Sequence, residues 1–142
     1  MAEARAIQRT ARQSPYKMRL VIDQIRGKDV NEALALLKFS KKHAAKQIEK
    51  VLRSAVSNAE QDAQRDNQAF DLDRLFVGYA VVNEGQTLRR FGSAAMGRAT
   101  PIKKRTSIVE IRVAAKADAK QRAVQQPSPA PKAAKKTKEE KN

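Results

Sequence analysis

The 142-residue chain has no cysteine and no tryptophan, and its only histidine is His43. Without cysteine there is neither a disulfide framework nor a cysteine-based zinc site, and one histidine cannot complete a metal cluster. No cofactor and no metal are therefore expected. No apolar run approaches the roughly 18 residues needed to cross a bilayer, so a membrane is not an expected partner. Arg5, Arg9 and Arg12 interrupt the opening stretch too often for a signal-peptide core, which predicts a cytoplasmic protein. Negative charge is also scarce: 30 Lys and Arg stand against 15 Asp and Glu, a formal charge of +15. Self-repulsion at that charge opposes compaction, and a polyanion relieves it. Nucleic acid is the commonest such partner, ahead of an anionic membrane surface.

The positive charge is unevenly spread. Residues 1–28 hold seven basic groups against two acidic ones, and residues 29–85 hold eight against nine. Residues 86–105 hold six basic groups and no acidic one. Residues 106–114 balance Glu110 with Arg112, and the last 28 residues carry eight basic groups against three acidic. A near-neutral middle flanked by basic segments reads as a core with separate anion-binding attachments.

Arg5, Ile7 and Arg9 alternate as in a short edge strand. Ser14-Pro15 is a helix start, with serine as the cap and proline where it loses no intrahelical bond. Met18, Val21, Ile22 and Ile25 follow at helical spacing, and Gly27 supplies a left-handed end. Asp29 and Glu32 read as a capping box for a helix whose apolar face is Val30, Ala33, Leu34 and Leu37. Ser40 is the expected cap of a third, longest helix with Ala44, Ile48, Val51, Leu52, Ala55 and Ala59 on one stripe; its period fades through Gln61–Gln68.

From Leu72 the pattern changes. Leu75–Val82 is rich in β-branched and aromatic residues, Asn83-Glu84-Gly85 is a turn or bulge signal, and Ile108–Val113 alternates apolar with polar. Between the two runs, Gln86–Ser107 reads as two strands continuing beyond the sheet to a tip near Gly92–Pro101, with Gly92 and Gly97 permitting positive φ. At roughly 3.3 Å per residue, about ten extra residues per arm would project on the order of 30 Å. After Val113 the composition turns to Ala, Lys, Gln and Pro, which cannot bury enough apolar surface to offset its ordering entropy. Ala114–Lys120 either prolong the last strand or form a transient helix.

The expected fold is thus α+β. Three helices pack on a small antiparallel sheet, with one long protruding β-hairpin and a disordered C-terminal tail. Residues 1–114 form a single RNA-binding domain, including the hairpin at about 75–113, and 115–142 form the tail.

An isolated two-stranded ribbon is only marginally stable in water. The segment Leu88–Pro101 has few apolar side chains of its own, and its cations repel one another. A phosphate-lined environment would neutralise and support it. Arg5, Arg9, Arg12, Lys17, Arg19, Arg26 and Lys28 form a second basic patch, with Lys17 and Arg19 off the apolar stripe and free to meet phosphate. Catalysis has no visible apparatus. His43 follows Lys41 and Lys42 at a helix start, where exposure is expected. Ser54, Ser57 and Asn58 lie mid-helix, Asp71 and Asp73 suit turn and capping roles, and no Gly-rich phosphate loop is present.

Three stretches carry a family resemblance. Ser14-Pro15-Tyr16-Lys17-Met18-Arg19-Leu20-Val21 running into Ile25-Arg26-Gly27-Lys28 is similar to the opening signature of the bacterial large-subunit ribosomal protein twenty-two family. Lys50–Ala59 resembles its long-helix motif, and Met96–Ser107 its hairpin signature. The resemblance implies a structural constituent of the large ribosomal subunit that binds 23S rRNA and supports assembly. It implies a globular part near the outer end of the peptide exit tunnel and a hairpin that lines the tunnel, meeting the nascent peptide. Neighbouring large-subunit proteins would be partners, including protein four at the constriction, and family hairpins influence macrolide action. No homo-oligomer is expected, and the location is ribosome-bound in the cytoplasm.

By motif, the hairpin contributors are Arg89, Arg90, Gly97, Arg98, Lys103, Lys104 and Arg105, and the tunnel-lining tip is Gly92, Ser93, Ala94, Ala95, Met96, Gly97, Arg98 and Ala99. The sequence departs from the family at Ser93-Ala94-Ala95, where the pattern is Pro-Arg-Ala, and at Ile108, where it is histidine. A DNA-bending nucleoid protein with a basic β-arm is the alternative reading, with Pro101 as its candidate wedge.

Overall fold

The computed structural model describes residues 3–67 and 70–115. Among them the chain forms strand β1 (Glu3–Ala11), helices α1 (Pro15–Ile25), α2 (Val30–Phe39) and α3 (His43–Arg65), then strands β2 (Leu75–Glu84), β3 (Leu88–Ser93), β4 (Ala99–Lys104) and β5 (Ser107–Ala115). This is the α+β arrangement expected from the sequence. The tail and the alternatives for Ala114–Lys120 fall outside the described residues beyond Ala115, where β5 ends.

Strands β1, β5 and β2 make an antiparallel sheet in that order, with β5 central. The cleanest alternation in the sequence thus belongs to the strand paired on both sides. Ser107, Val109, Ile111 and Val113 are buried, while Ile108, Glu110 and Arg112 face outward and are half-buried. All three helices pack against the inner face. Met18, Val21, Ile22 and Ile25 from α1, Val30, Ala33 and Leu37 from α2, and Ile48, Val51, Leu52 and Ala55 from α3 form one core with Val77, Val82, Val109 and Ile111. Burying each Val, Leu, Ile or Met side chain is worth roughly 1.5–3 kcal/mol, so these stripes fix which face of each helix points inward. Ala4 and Ala6 on β1 and Ala44, Ala45 and Ala55 on α3 are small and buried, which lets the long helix lie close to the edge strand.

Helix α1 runs along the free edge of β2 and closes it. The Arg19 Nε and Nη2 each donate to the Val82 carbonyl at 3.2 Å, and the Arg26 Nε and Nη2 donate to the Ala80 carbonyl at 3.3 and 2.9 Å. Gly27 N donates to the Val77 carbonyl at 3.0 Å and Val77 N to the Lys28 carbonyl at 2.9 Å. An unpaired strand edge is a template for unwanted pairing, and these bonds remove it. At the opposite edge, Asn58 of α3 donates to the Arg5 carbonyl at 2.9 Å.

Several local expectations are corrected. Ser14 stands at the N-cap of α1 and Asp29 at that of α2, but neither side chain makes the cap hydrogen bond. Glu32 instead pairs with Lys28 one turn back, so no capping box forms. Ser40 ends α2 rather than capping α3, whose N-cap is Lys42; the Ser40 N–H bonds to the Leu36 carbonyl and completes the preceding helix. Asn83 and Glu84 remain in β2, paired with Ile108 and Ser107, and the irregularity in this strand comes earlier, between Val77 and Tyr79. Gly27 has the expected positive φ of 76°.

Strands β3 and β4 form a separate two-stranded ladder of six pairs, from Leu88↔Lys104 to Ser93↔Ala99. The paired part of the arm is therefore about 20 Å long at roughly 3.3 Å per residue. The turn is narrower than expected: it spans Ala94–Arg98, with Met96 and Gly97 at φ 57° and 71°. Gly92 does not take the positive φ expected of it. It is a ladder residue opposite Thr100, and a Cβ there would lie 3.1 Å from Ile102 Cδ1. Its small size serves cross-strand packing, not the turn.

Candidate nucleic-acid interface

The base of the hairpin and the start of two helices enclose an open cleft of about 710 Å³. Arg12, Gln13 and Ser14 come from the β1–α1 connection, Lys17 from the first turn of α1, and His43 from the first residue of α3. Leu88 and Arg90 come from β3, Lys103 and Lys104 from β4, and Arg105 and Thr106 from the β4–β5 connection. Six of these residues are Lys or Arg, and no acidic residue lines the cleft. Among the described residues, none of the six meets a carboxylate within 4 Å.

Two helix N-termini add to the field. Ser14, the N-cap of α1, and His43, the first residue of α3, both border the cleft, and neither helix has an acidic side chain in its first turn. The partial positive charge of each helix start is thus left uncancelled and available to an anion. Helix α2, which does carry Glu32 in its first turn, does not reach the cleft. His43 Nδ1 lies 3.4 Å from Gln13 Oε1, which joins the two helix starts.

The base of the arm is locked to the sheet. Gly85 N donates to the Thr106 carbonyl at 3.0 Å, and Thr106 Oγ1 donates to the Gln86 carbonyl at 2.6 Å. A Cβ on Gly85 would lie 2.5 Å from Thr106 Oγ1 and 3.2 Å from the Thr106 carbonyl carbon, so only glycine lets the two strands come this close. That approach fixes where Lys103, Lys104 and Arg105 sit relative to Lys17 and Arg12.

The basic residues singled out from the sequence separate into three groups. Arg12, Lys17, Arg90, Lys103, Lys104 and Arg105 converge on the cleft. Arg89 is exposed near the base of the arm, Arg98 at its turn and Arg9 on β1. The others have partners within the protein. Arg5 pairs with Glu110 at 2.9 Å, Arg26 with Asp23 at 3.0 Å in addition to its bond to β2, and Lys28 with Glu32. Arg19, expected to be free for phosphate, is held by the Val82 carbonyl. Conversely, Gln13, Ser14, His43, Leu88 and Thr106 border the cleft without having been candidates. Their proximity is a product of tertiary structure that no local pattern reveals.

On the outer face of the sheet, Glu110 accepts from Arg5 and from Arg112, the latter at 2.9 and 3.0 Å. The hydrogen bond from Arg5, and next that from Arg112, hold the Glu110 carboxyl below its ordinary value of 4.5 against an opposing effect of burial. The Arg112 guanidinium is pushed up by the same bond and lies 4.9 Å from the centre of the Tyr79 ring. This face is internally neutralised, in contrast to the cleft.

Among the described residues no three His, Cys, Asp or Glu side chains gather to hold a metal ion, and no helix is long and apolar enough to cross a membrane. Pro101, the candidate DNA wedge, sits mid-strand opposite Phe91 rather than at the tip. The described residues thus form an α+β body with a basic two-stranded arm and a cation-lined, acid-free cleft at its base.

Residues 6–114 match the family described as Ribosomal protein L22p/L17e, and the chain belongs to that family. It is 53% identical over 113 residues to a protein of Lactobacillus delbrueckii subsp. bulgaricus named large ribosomal subunit protein uL22, covering 78% of this chain and 91% of the relative. A protein of the same name from Magnetococcus marinus is 48% identical over 118 residues, covering 83% of this chain and all of the relative. The family is one of structural ribosomal proteins, and the chain is not an enzyme.

Proposed function

We propose that this chain, a structural constituent of the large ribosomal subunit, binds 23S rRNA through the cleft at the base of its hairpin. The observation that carries this reading is the convergence of six cations without carboxylate partners, together with two uncancelled helix N-termini, in one cleft. Phosphate groups from converging RNA segments satisfy that field and release counterions as they bind. No Phe, Tyr or Trp lines the cleft and His43 is its only ring, so its cationic lining favours recognition of backbone shape over base identity.

During assembly the protein then acts as an electrostatic clamp. Cations from β3, β4 and the β1–α1 connection neutralise RNA segments that would otherwise repel one another. The hairpin tip, Ala94–Arg98 with its flanking Gly92, Ser93 and Ala99, extends away from the body to line the peptide exit tunnel beside protein four, where nascent chains pass it. Membership of the family supports that placement, and the small side chains of Ser93, Ala94 and Ala95 are compatible with a narrow passage. The protein is expected to co-sediment with large subunits through a high-salt gradient. Recovery only at the top of the gradient would overturn the reading.

A further inference from the structure

The arm has a second recognition face, centred on Phe91. Side chains on a ladder alternate between its two faces, so Arg89, Phe91 and Ser93 share one face with their partners Lys103, Pro101 and Ala99. Leu88, Arg90, Lys104, Ile102, Gly92 and Thr100 occupy the other, and three of them, Leu88, Arg90 and Lys104, border the cleft. Lys103 belongs by register to the Phe91 face and also reaches the cleft rim.

Phe91 is 77% exposed on this face. Leaving an aromatic ring in water forfeits much of the stabilisation its burial would bring, and nothing in the hairpin covers it. Its neighbours along the face specify an occupant. On one side Arg89 and Lys103 are directly opposed cations; on the other, Ser93 and Ala99 are small and leave the approach to the ring open. A flat ring beside paired cations matches an unpaired nucleotide, whose base stacks on the ring while its phosphate meets the cations. An apolar protein side chain would satisfy the ring but leave Arg89 and Lys103 opposed and uncompensated. No acidic residue occurs in residues 86–105 to compensate them from within.

We propose that Phe91 is a base-stacking anchor for an unpaired nucleotide of rRNA, with Arg89 and Lys103 holding its phosphate. This rests on the rRNA-binding reading and divides the work of the arm: the cleft face takes phosphates of structured RNA, and the opposite face takes one splayed base.

The test uses the full chain and in vitro transcribed 23S rRNA. Affinity is measured across a KCl series, with chemical probing of unpaired bases. Phe91→Ala should weaken binding about tenfold at fixed salt, leave the salt slope unchanged, and expose one or a few unpaired nucleotides protected by the wild type. Phe91→Tyr should stay within about twofold of wild type, because it keeps the ring. Arg89→Gln should reduce the salt slope by about one. Wild-type affinity and protection in Phe91→Ala, alongside weakened binding by a Lys104→Gln/Arg105→Gln variant, would overturn the stacking proposal and leave the rRNA reading intact. Wild-type binding by both would overturn the rRNA reading itself. Equal melting temperatures for Phe91→Ala and wild type establish that lost affinity is not lost folding.

Discussion

Arg89 and Lys103 stand directly opposite each other in the hairpin ladder. Like charges so placed are destabilising, and a two-stranded ribbon has little stability to spare. The arm holds no carboxylate to relieve them. The polypeptide alone therefore leaves the arm electrostatically incomplete, and the proposed rRNA partner would complete it. The cleft at its base repeats the pattern with six cations drawn from both strands of the arm and from the β1–α1 region.

The bonds from Arg19 and Arg26 to the edge of β2 are structural. Replacing both residues by alanine should destabilise the free protein by about 1–2 kcal/mol, since charged donors to half-exposed carbonyls are removed and solvent recovers part of the deficit. Urea denaturation measures this. The salt slope of RNA binding should not change, in contrast to any substitution in the cleft. A reduced slope with unchanged stability would mean that both guanidinium groups serve RNA after all.

Gly85 should tolerate no side chain. Gly85→Ala places a methyl against the Thr106 backbone as well as its hydroxyl, and the two strands must part to admit it. The expected loss is about 1–3 kcal/mol, with a lower melting temperature. RNA affinity should fall as well, because Lys103, Lys104 and Arg105 move relative to Lys17. A variant with wild-type melting temperature would show that the arm is not held at this point.

Glu110 makes the stability of the sheet sensitive to acid. Its folded value lies below its ordinary value of 4.5 because Arg5 and Arg112 hydrogen-bond its charged form. The stabilisation is therefore fully present above about pH 4.5 and is lost as the pH falls through the depressed folded value. Glu110→Gln should be less stable than wild type at pH 7, and the difference should shrink toward zero as the medium is acidified below the folded value. A series of urea midpoints from pH 7 downward measures both, and a difference that does not shrink as the pH falls would contradict the assignment.

Much of the fold was legible because burial is one-sided and local. Met18, Val21, Ile22 and Ile25 repeat at the helical period, and Val109, Ile111 and Val113 repeat at the strand period, since each set faces a single core. The expectation that failed for Arg19 shows the limit. Lys17 and Arg19 both lie off the apolar stripe of α1, yet one borders the cleft and the other bonds to a strand far along the chain. Only the tertiary arrangement distinguishes an arginine facing solvent from one facing a strand edge. Ser40 was misplaced for a related reason: a small hydroxyl residue between two helical patterns can end one helix or begin the next. The charge run in residues 86–105 did mark the arm, but the cleft also needs Arg12, Lys17 and His43, which reach it through the packing of α1 and α3.

The most direct measurement is the salt dependence of binding between the full chain and 23S rRNA, compared with a Lys17→Gln/Lys104→Gln/Arg105→Gln variant. Removing one cation that meets a phosphate should lower the slope of log affinity against log salt by roughly one. The variant should therefore show a slope smaller by about two to three and an affinity at least tenfold weaker, while its melting temperature holds. An unchanged slope in a folded variant would contradict the cleft as the rRNA-binding site.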